Sequence, residues 1–332
     1  MTNIKSSPNV KYQKLIWIWC VSLIGEYIFM KNFVYFKGEI VEEEQARVPL
    51  ATHALQYGTG VFDSVRGYWL EQKKAMLLLK PLEHFERLVN SAKILGLAVK
   101  ETPAEMTEIL KKLVKKNALE SDIYVRPFIY QAATKVAPII SPDFEPSLAM
   151  YMISLGDYLA TDKGLKGKVS SWRRIDDTMI PPRAKVCGAY VNSSLARQEA
   201  AMCGADEAIF LNQDGSVCEG SGENIFIVRA GQLITPPVSA NILEGVTRSL
   251  VMEVAGRERI GVCERCIDRS ELYIADEVFL TGTACQVAYF SEIDGRQIGD
   301  GRLGPITKKL QKIFFDAVHG RLPEYVKWLV QV

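Results

Sequence analysis

Charge of one sign is missing from this chain. Forty lysines and arginines stand against thirty-nine aspartates and glutamates, a net of +1, and no dense basic block breaks the balance. That excludes a strong field for nucleic acid and leaves a small molecule as the expected partner. A disulfide framework is missing too. The seven cysteines (Cys20, Cys187, Cys203, Cys218, Cys263, Cys266, Cys285) are odd in number, irregularly spaced and mostly in apolar contexts, the usage of a reducing, cytoplasmic compartment. Cys263 and Cys266 form a CxxC, but no second pair or nearby histidine completes a tetrahedral set. Packing is therefore their expected role, and no metal is expected. Internal repeats and low-complexity tracts are absent.

Nor is there an apolar run long enough to span a bilayer. LIWIWCVSLIGEYIFM, Leu15 to Met30, falls short of the about 20 apolar residues a spanning helix needs, and it carries Glu26. No small-residue cleavage site follows it. Residues 1–29 then have two readings: a signal or membrane-tethering segment, or an extension ahead of a true start at Met30. The second fits better, because MKNFVYFKGEIVEEE opens as a clean strand pair, and no membrane partner is expected.

What is present is ordinary soluble composition, 48% hydrophobic and 24% charged over 332 residues, enough for two packed domains. From residue 30 to 151 an α/β (α+β) unit is expected. NFVYFKGEIV reads as strand, turn and strand; VFDSVRGYW and DIYVRPFIYQA read as strands. PLEHFERLVNSAKILG and PAEMTEILKKLVKKNA have helical periodicity with proline near their starts. Residues 152–162 have the glycine and aspartate content of an interdomain loop. Residues 163–332 form a larger, strand-rich unit, with strands at KVSSW, EAIFLN, NIFIVR and EVFLTG and helices at NSSLARQEAAMCG, VTRSLVMEVAGR and ITKKLQKIFFDAV.

Three stretches carry candidate chemistry. In PPRAKVCGAY, Lys185 sits among small and apolar residues with Tyr190 five residues on. Burial would lower its pKa and free the amine as a nucleophile or base; a loop lysine snorkelling to solvent is the bland alternative. In SVCEGSGENIFIV, Glu219 ends a turn beside two glycines, where a carboxylate could pair with a ring nitrogen, or could serve only a polar turn. The same segment lacks the glycine two residues before Ser221 that a nucleophile elbow needs, and the third glycine of a dinucleotide loop. In NILEGVTRSLVMEV, Gly245 leads into a helix whose first N–H groups, at Val246 and Thr247, could seat a phosphate; a threonine serving only its helix is an equal alternative. FLTGTA, with Thr281, Gly282, Thr283 and Ala284, is a second candidate seat.

Taken in order, EGSGENIF, LIT and ILEGVTR place Glu219, Ser221, Asn224, Phe226, Thr235, Gly245 and Arg248 so that the chain resembles the class IV, or fold-type IV, pyridoxal phosphate aminotransferases. HALQYGTGVF, EHFERL, YVRP, AKxxGxY and FLTGTA extend the resemblance over nearly everything after Met30, and it is most like the branched-chain amino acid aminotransferases. The resemblance implies a two-domain fold and a Schiff base between Lys185 and pyridoxal 5'-phosphate. It places Glu219 at the pyridine nitrogen, Tyr190 at the ring hydroxyl, and Arg87, Val246, Thr247 and Thr283 on the phosphate. It gives the substrate pocket to Tyr57, Phe62, Tyr124 and Arg126, with Thr283, Ala284 and Tyr124 receiving the α-carboxylate. Tyr124 and Arg126 are two apart on a strand and so share a face. Leucine, isoleucine or valine as donor and 2-oxoglutarate as acceptor are the implied substrates, and a homodimer or multiple of dimers the implied assembly. D-amino acid aminotransferases, R-selective amine transaminases and aminodeoxychorismate lyase share the cofactor apparatus. Phe62, Asp63 and Ser64 depart from the Phe-Glu-Gly usual in branched-chain enzymes, and Leu155 from a frequent tryptophan, both beside the substrate.

Overall fold

The computed structural model describes residues 32–141 and 144–332. The readings of Leu15–Met30 and of a start at Met30 lie outside those residues.

The first sheet has eight strands among the described residues. Seven come from the first half: β1 (Phe33–Phe36), β2 (Glu39–Glu42), β3 (Gly60–Phe62), β4 (Val65–Leu70), β5 (Ala75–Leu79), β6 (Ile123–Gln131) and β7 (Pro146–Ser154). All pairs in it are antiparallel. Helices α1 (His53–Tyr57), α2 (Pro81–Ile94) and α3 (Pro103–Asn117) accompany it. Strand β6 shows the period of two: Ile123, Val125 and Ile129 enter a core with Phe85, Leu88 and Ala92 of α2 and Met106, Leu110 and Leu113 of α3, while Tyr124, Arg126 and Phe128 take the other face. Pro127 in mid-strand has no N–H to give. Opposite it the neighbouring strand breaks, β3 ending at Phe62 and β4 resuming at Val65, while Asp63 N donates to Pro127 O at 3.1 Å. That break turns Asp63 toward α2.

No strand or helix occupies residues 155–164. The second sheet, nine strands among the described residues, then runs through β8 (Leu165–Arg173), β9 (Glu207–Leu211), β10 (Val217–Gly220), β11 (Asn224–Arg229), β12 (Gln232–Thr235), β13 (Val262–Glu264), β14 (Glu277–Gly282), β15 (Gln286–Ile293) and β16 (Arg296–Gln297). It is mixed, with β8 parallel to β9 and β15, and β12 parallel to β13. Its helices are α4 (Tyr190–Met202), α5 (Val246–Arg257), α6 (Arg269–Leu272) and α7 (Pro305–Val318). Both faces are covered. Ile225, Ile227 and Leu280 enter one core, and Phe226, Val228 and Phe279 enter another with Leu250 and Val254 of α5 and Leu310 and Phe314 of α7. Strands buried on both sides read as near-continuous apolar runs, as NIFIVR does.

The last strand, β17 (Leu329–Gln331), follows the second sheet's elements in sequence but pairs with β5 of the first sheet. Trp328, Tyr325, Tyr68 and Leu79 share its neighbouring core with β11 and β14, so the C-terminus stitches the two sheets. Among the described residues no helix is long and apolar enough to cross a membrane.

Candidate active site

Lys185 is aimed by its neighbours. Ala184 and Val186 belong to the first sheet's core, Val186 bridges to Val61, and Phe62 N donates to Lys185 O at 3.0 Å. With residues 184 and 186 turned into that core, the side chain between them points the opposite way. Its Nζ donates to Tyr190 Oη at 2.6 Å and lies 5.1 Å from the Phe62 ring. Lys185 is buried, and burial, reinforced by the positive charge of Arg87, brings its pKa down from 10.5 to about 8. The snorkelling alternative is thereby excluded. Burial pushes the Tyr190 hydroxyl up, while the charges of Arg174, Arg87 and Arg126 pull it down.

Glu219 stands at the end of β10, 4% exposed. Its Oε1 lies 2.8 Å from Arg174 Nη2, and its Oε2 accepts from Asn224 Nδ2 and from Leu243 N, each at 3.0 Å. Burial raises its pKa and Arg174 opposes the rise. Asn224 also donates to Leu243 O at 2.8 Å, holding the loop that leads to Gly245. A methyl group at Gly245 would lie 1.9 Å from Asn224 Oδ1, so only glycine lets this loop approach the carboxylate. Gly245 brings no side-chain cap to α5, which leaves the first N–H groups of that helix as donors. Arg87 Nη1 donates to Glu244 O at 2.9 Å and so ties α2 to this helix start; Thr247 is buried beside it.

On the face of β6 turned away from the core, Arg126 Nη2 donates to Tyr124 Oη at 2.8 Å. Its guanidinium lies over the Phe62 ring at 4.4 Å, and its Nε is buried without a hydrogen-bond partner. The resident partner is thus a tyrosine hydroxyl, and the Nε donor is unused. Thr283 and Ala284 follow β14 in a turn, where Arg66 Nη1 donates to Ala284 O at 3.1 Å. Tyr57 is 37% exposed, and its ring meets His53 at 4.6 Å.

Four further contributors escaped the sequence reading. Arg174 is the second of two adjacent arginines that no sequence signal distinguishes. Arg66, fully buried, donates to the carbonyls of Leu155 and Gly156 at 3.2 and 2.7 Å as well as to Ala284, holding the stretch between the sheets. His84 and Ser91 were visible in principle, since positions 84, 87 and 91 fall on one helical face. The structure uses that face: His84 Nδ1 and Arg87 Nη2 both meet Asp63 Oδ1 at 2.8 Å, and Lys185 N donates to Ser91 Oγ at 3.1 Å. Cys263 and Cys266 are free thiols, and among the described residues no group of three or more metal-ligating side chains is gathered.

Residues 60–293, which carry the Lys185 amine, the Glu219 carboxylate and the start of α5, match the family model of amino-transferase class IV. The chain belongs to the class IV aminotransferases. It is 48% identical to a probable branched-chain-amino-acid aminotransferase of Aquifex aeolicus over 92% of this chain and 98% of that one. It is 36% identical to the branched-chain-amino-acid aminotransferase of Escherichia coli K12 over 91% and 97%. Among solved structures, the branched-chain aminotransferase of Thermoproteus uzoniensis with norvaline superposes with a TM-score of 0.87 at 41% identity, covering 90% of this chain and 99% of that one. The branched-chain amino acid aminotransferase of Thermobaculum terrenum in its PLP form does so with 0.86 at 35%, covering 91% and 99%. This class IV aminotransferase therefore has the two-sheet α/β architecture its sequence implied, and enzymes of its class depend on pyridoxal phosphate.

Proposed function

We propose that this enzyme moves the amino group between leucine, isoleucine or valine and 2-oxoglutarate, with pyridoxal 5'-phosphate held at Lys185. The observation that carries the reading is Arg126. A cation lying on the Phe62 ring, with one buried donor unused, lets a single pocket accept an apolar side chain and, in turn, a carboxylate. The residues present also fit the cofactor. Arg87, the first N–H groups at Val246 and Thr247, and Thr283 would hold its phosphate, at a helix start that brings no side-chain cap of its own. When bound, the cofactor supplies an electron-accepting ring. Glu219, fixed by Arg174, Asn224 and Leu243 N, holds a proton at the ring nitrogen, and Tyr190 orients the ring hydroxyl. Lys185 Nζ, with its lowered pKa, would be the amine that holds the cofactor and the base that takes up and returns the substrate proton. Thr283, Ala284 and Tyr124 receive the α-carboxylate.

The test is a donor screen on purified protein with 2-oxoglutarate and pyruvate as acceptors, run beside Arg126→Leu. In the variant, single-turnover rates with leucine should persist at a reduced level, while those with glutamate should fall a further ten- to hundredfold or so, the worth of a charge-assisted hydrogen bond. Equal losses would place Arg126 on the α-carboxylate common to both donors and favour another class IV activity. D-alanine as the best donor would do the same.

We further propose that a second copy of this chain covers the face around Tyr57. Leu50 and Leu55, at 87% and 62% exposed, and Val136 and Ile139, at 79% and 56%, lie on two segments that His53 clamps together, its N donating to Ala133 O and its Nε2 meeting Ala137 O, each at 2.8 Å. Apolar side chains grouped in this way favour an interface over open water. Leu50→Asp should weaken self-association by roughly a hundredfold if both copies bury it, read by sedimentation velocity. An unchanged oligomer would move the interface elsewhere. The six described cysteines are all unpaired, which supports the cytoplasm as its compartment; cell fractionation checks this.

A further inference from the structure

Asp63 has no part in the reading above, yet it is fully buried and every bond its carboxylate makes converges on Arg87 or on the groups that brace it. Its Oδ2 accepts from Arg87 Nε at 2.9 Å, and its Oδ1 accepts from Arg87 Nη2 and His84 Nδ1 at 2.8 Å and from Ser64 N at 2.7 Å. Since a carboxylate only accepts, His84 presents its Nδ1–H. Burial by itself would push the Asp63 carboxyl up, but the charge of Arg87 and the donor of His84 outweigh it and hold the group ionised far below the usual carboxylate range. A two-point grip on one edge of a guanidinium fixes its plane. Of the five N–H groups of an arginine, Nε and one on Nη2 go to Asp63 and one on Nη1 goes to Glu244 O, next to the Gly245 that opens α5. One N–H on each of Nη1 and Nη2 is left over.

We infer that Asp63 is the positioning residue of the phosphate seat: it locks the plane of Arg87 so that its two unused N–H groups and the start of α5 serve one anion together. The break opposite Pro127 is what lets Asp63 reach α2, and Ser64 N, freed from the strand ladder at that break, braces the same carboxylate. The alternative role for Asp63 is to neutralise a buried arginine. The two roles predict opposite signs. Asp63→Asn removes a negative charge beside Arg87, which by charge alone would strengthen anion binding; loss of the two-point grip would weaken it.

The inference rests on Arg87 binding the phosphate, so the measurement separates the two. The full chain, stripped of cofactor, is titrated with pyridoxal 5'-phosphate and with pyridoxal, which lacks the phosphate, and the ratio of the two dissociation constants is compared. The wild type should prefer the phosphorylated ligand, and Asp63→Asn should lower that preference about tenfold or more while shifting pyridoxal binding little. A preference kept or raised in Asp63→Asn overturns the positioning role. A wild type with no preference overturns the phosphate reading and the inference with it. Should Asp63→Asn not fold, His84→Phe keeps the Asp63–Arg87 pair and removes one brace; a several-fold drop in the ratio is expected, and an unchanged ratio counts against the role.

Discussion

Lys185→Ala should abolish transamination, lowering single-turnover rates with leucine by at least roughly 10⁴-fold, because one side chain supplies both the attacking amine and the base. The fold should persist. Lys185 donates a single side-chain hydrogen bond, to Tyr190, and its neighbours Ala184 and Val186 keep their places in the core. Cofactor affinity should fall only in part, since Arg87 and the start of α5 are untouched. The pH dependence carries a sign. With the pKa at about 8, only the neutral amine attacks, so the rate at which the wild type takes up pyridoxal 5'-phosphate should rise with pH through about 8 and level off above it. Stopped-flow absorbance in the visible band reads this rate. A variant that still turns over, or a wild type that develops no visible band, would remove Lys185 from the reaction.

Glu219→Gln should keep the fold and the cofactor yet slow the proton-transfer step by roughly 10²- to 10³-fold, the size of effect seen when one preorganised electrostatic partner is removed from a buried site. The amide keeps one acceptor for Asn224 Nδ2 and Leu243 N, but it no longer offers Arg174 a charge. It also cannot hold a proton at the ring nitrogen. Arg174 is then left buried without a counter-charge, so the melting temperature should fall as well, by an amount equivalent to about 1–3 kcal/mol. The two effects separate. A lower melting temperature with an unchanged single-turnover rate would confine Glu219 to its structural partnership with Arg174.

The second sheet and its motifs were legible because their information is local. NIFIVR and EVFLTG are apolar runs that only a strand covered on both faces requires, and they became β11 and β14. EGSGEN and EGVTR each lie within a few residues of the groups they position, so Glu219, Asn224 and Gly245 could be read in order along the chain. Lys185 was singled out in the sequence by its small, apolar neighbours, and the structure, by burying it between Ala184 and Val186 of the core, removes the snorkelling alternative.

What escaped were partners brought together by pairing rather than by spacing. Which arginine of the pair Arg173 and Arg174 meets Glu219 depends on where β8 ends, Arg173 being its last residue and Arg174 the first beyond it. Whether β17 joins the first sheet or the second depends on a free edge at β5. Asp63 shows the limit most plainly. Its sequence context marks a departure beside the substrate, but its place against Arg87 and His84 follows from a gap in the ladder that Pro127, more than sixty residues away, imposes by lacking an N–H. By itself, then, the sequence determined the local elements and the candidate residues they bear, because helix and strand periods are set by neighbours in the chain. Only the tertiary structure decided which charges compensate one another, because a buried ion pair is chosen by distance in space.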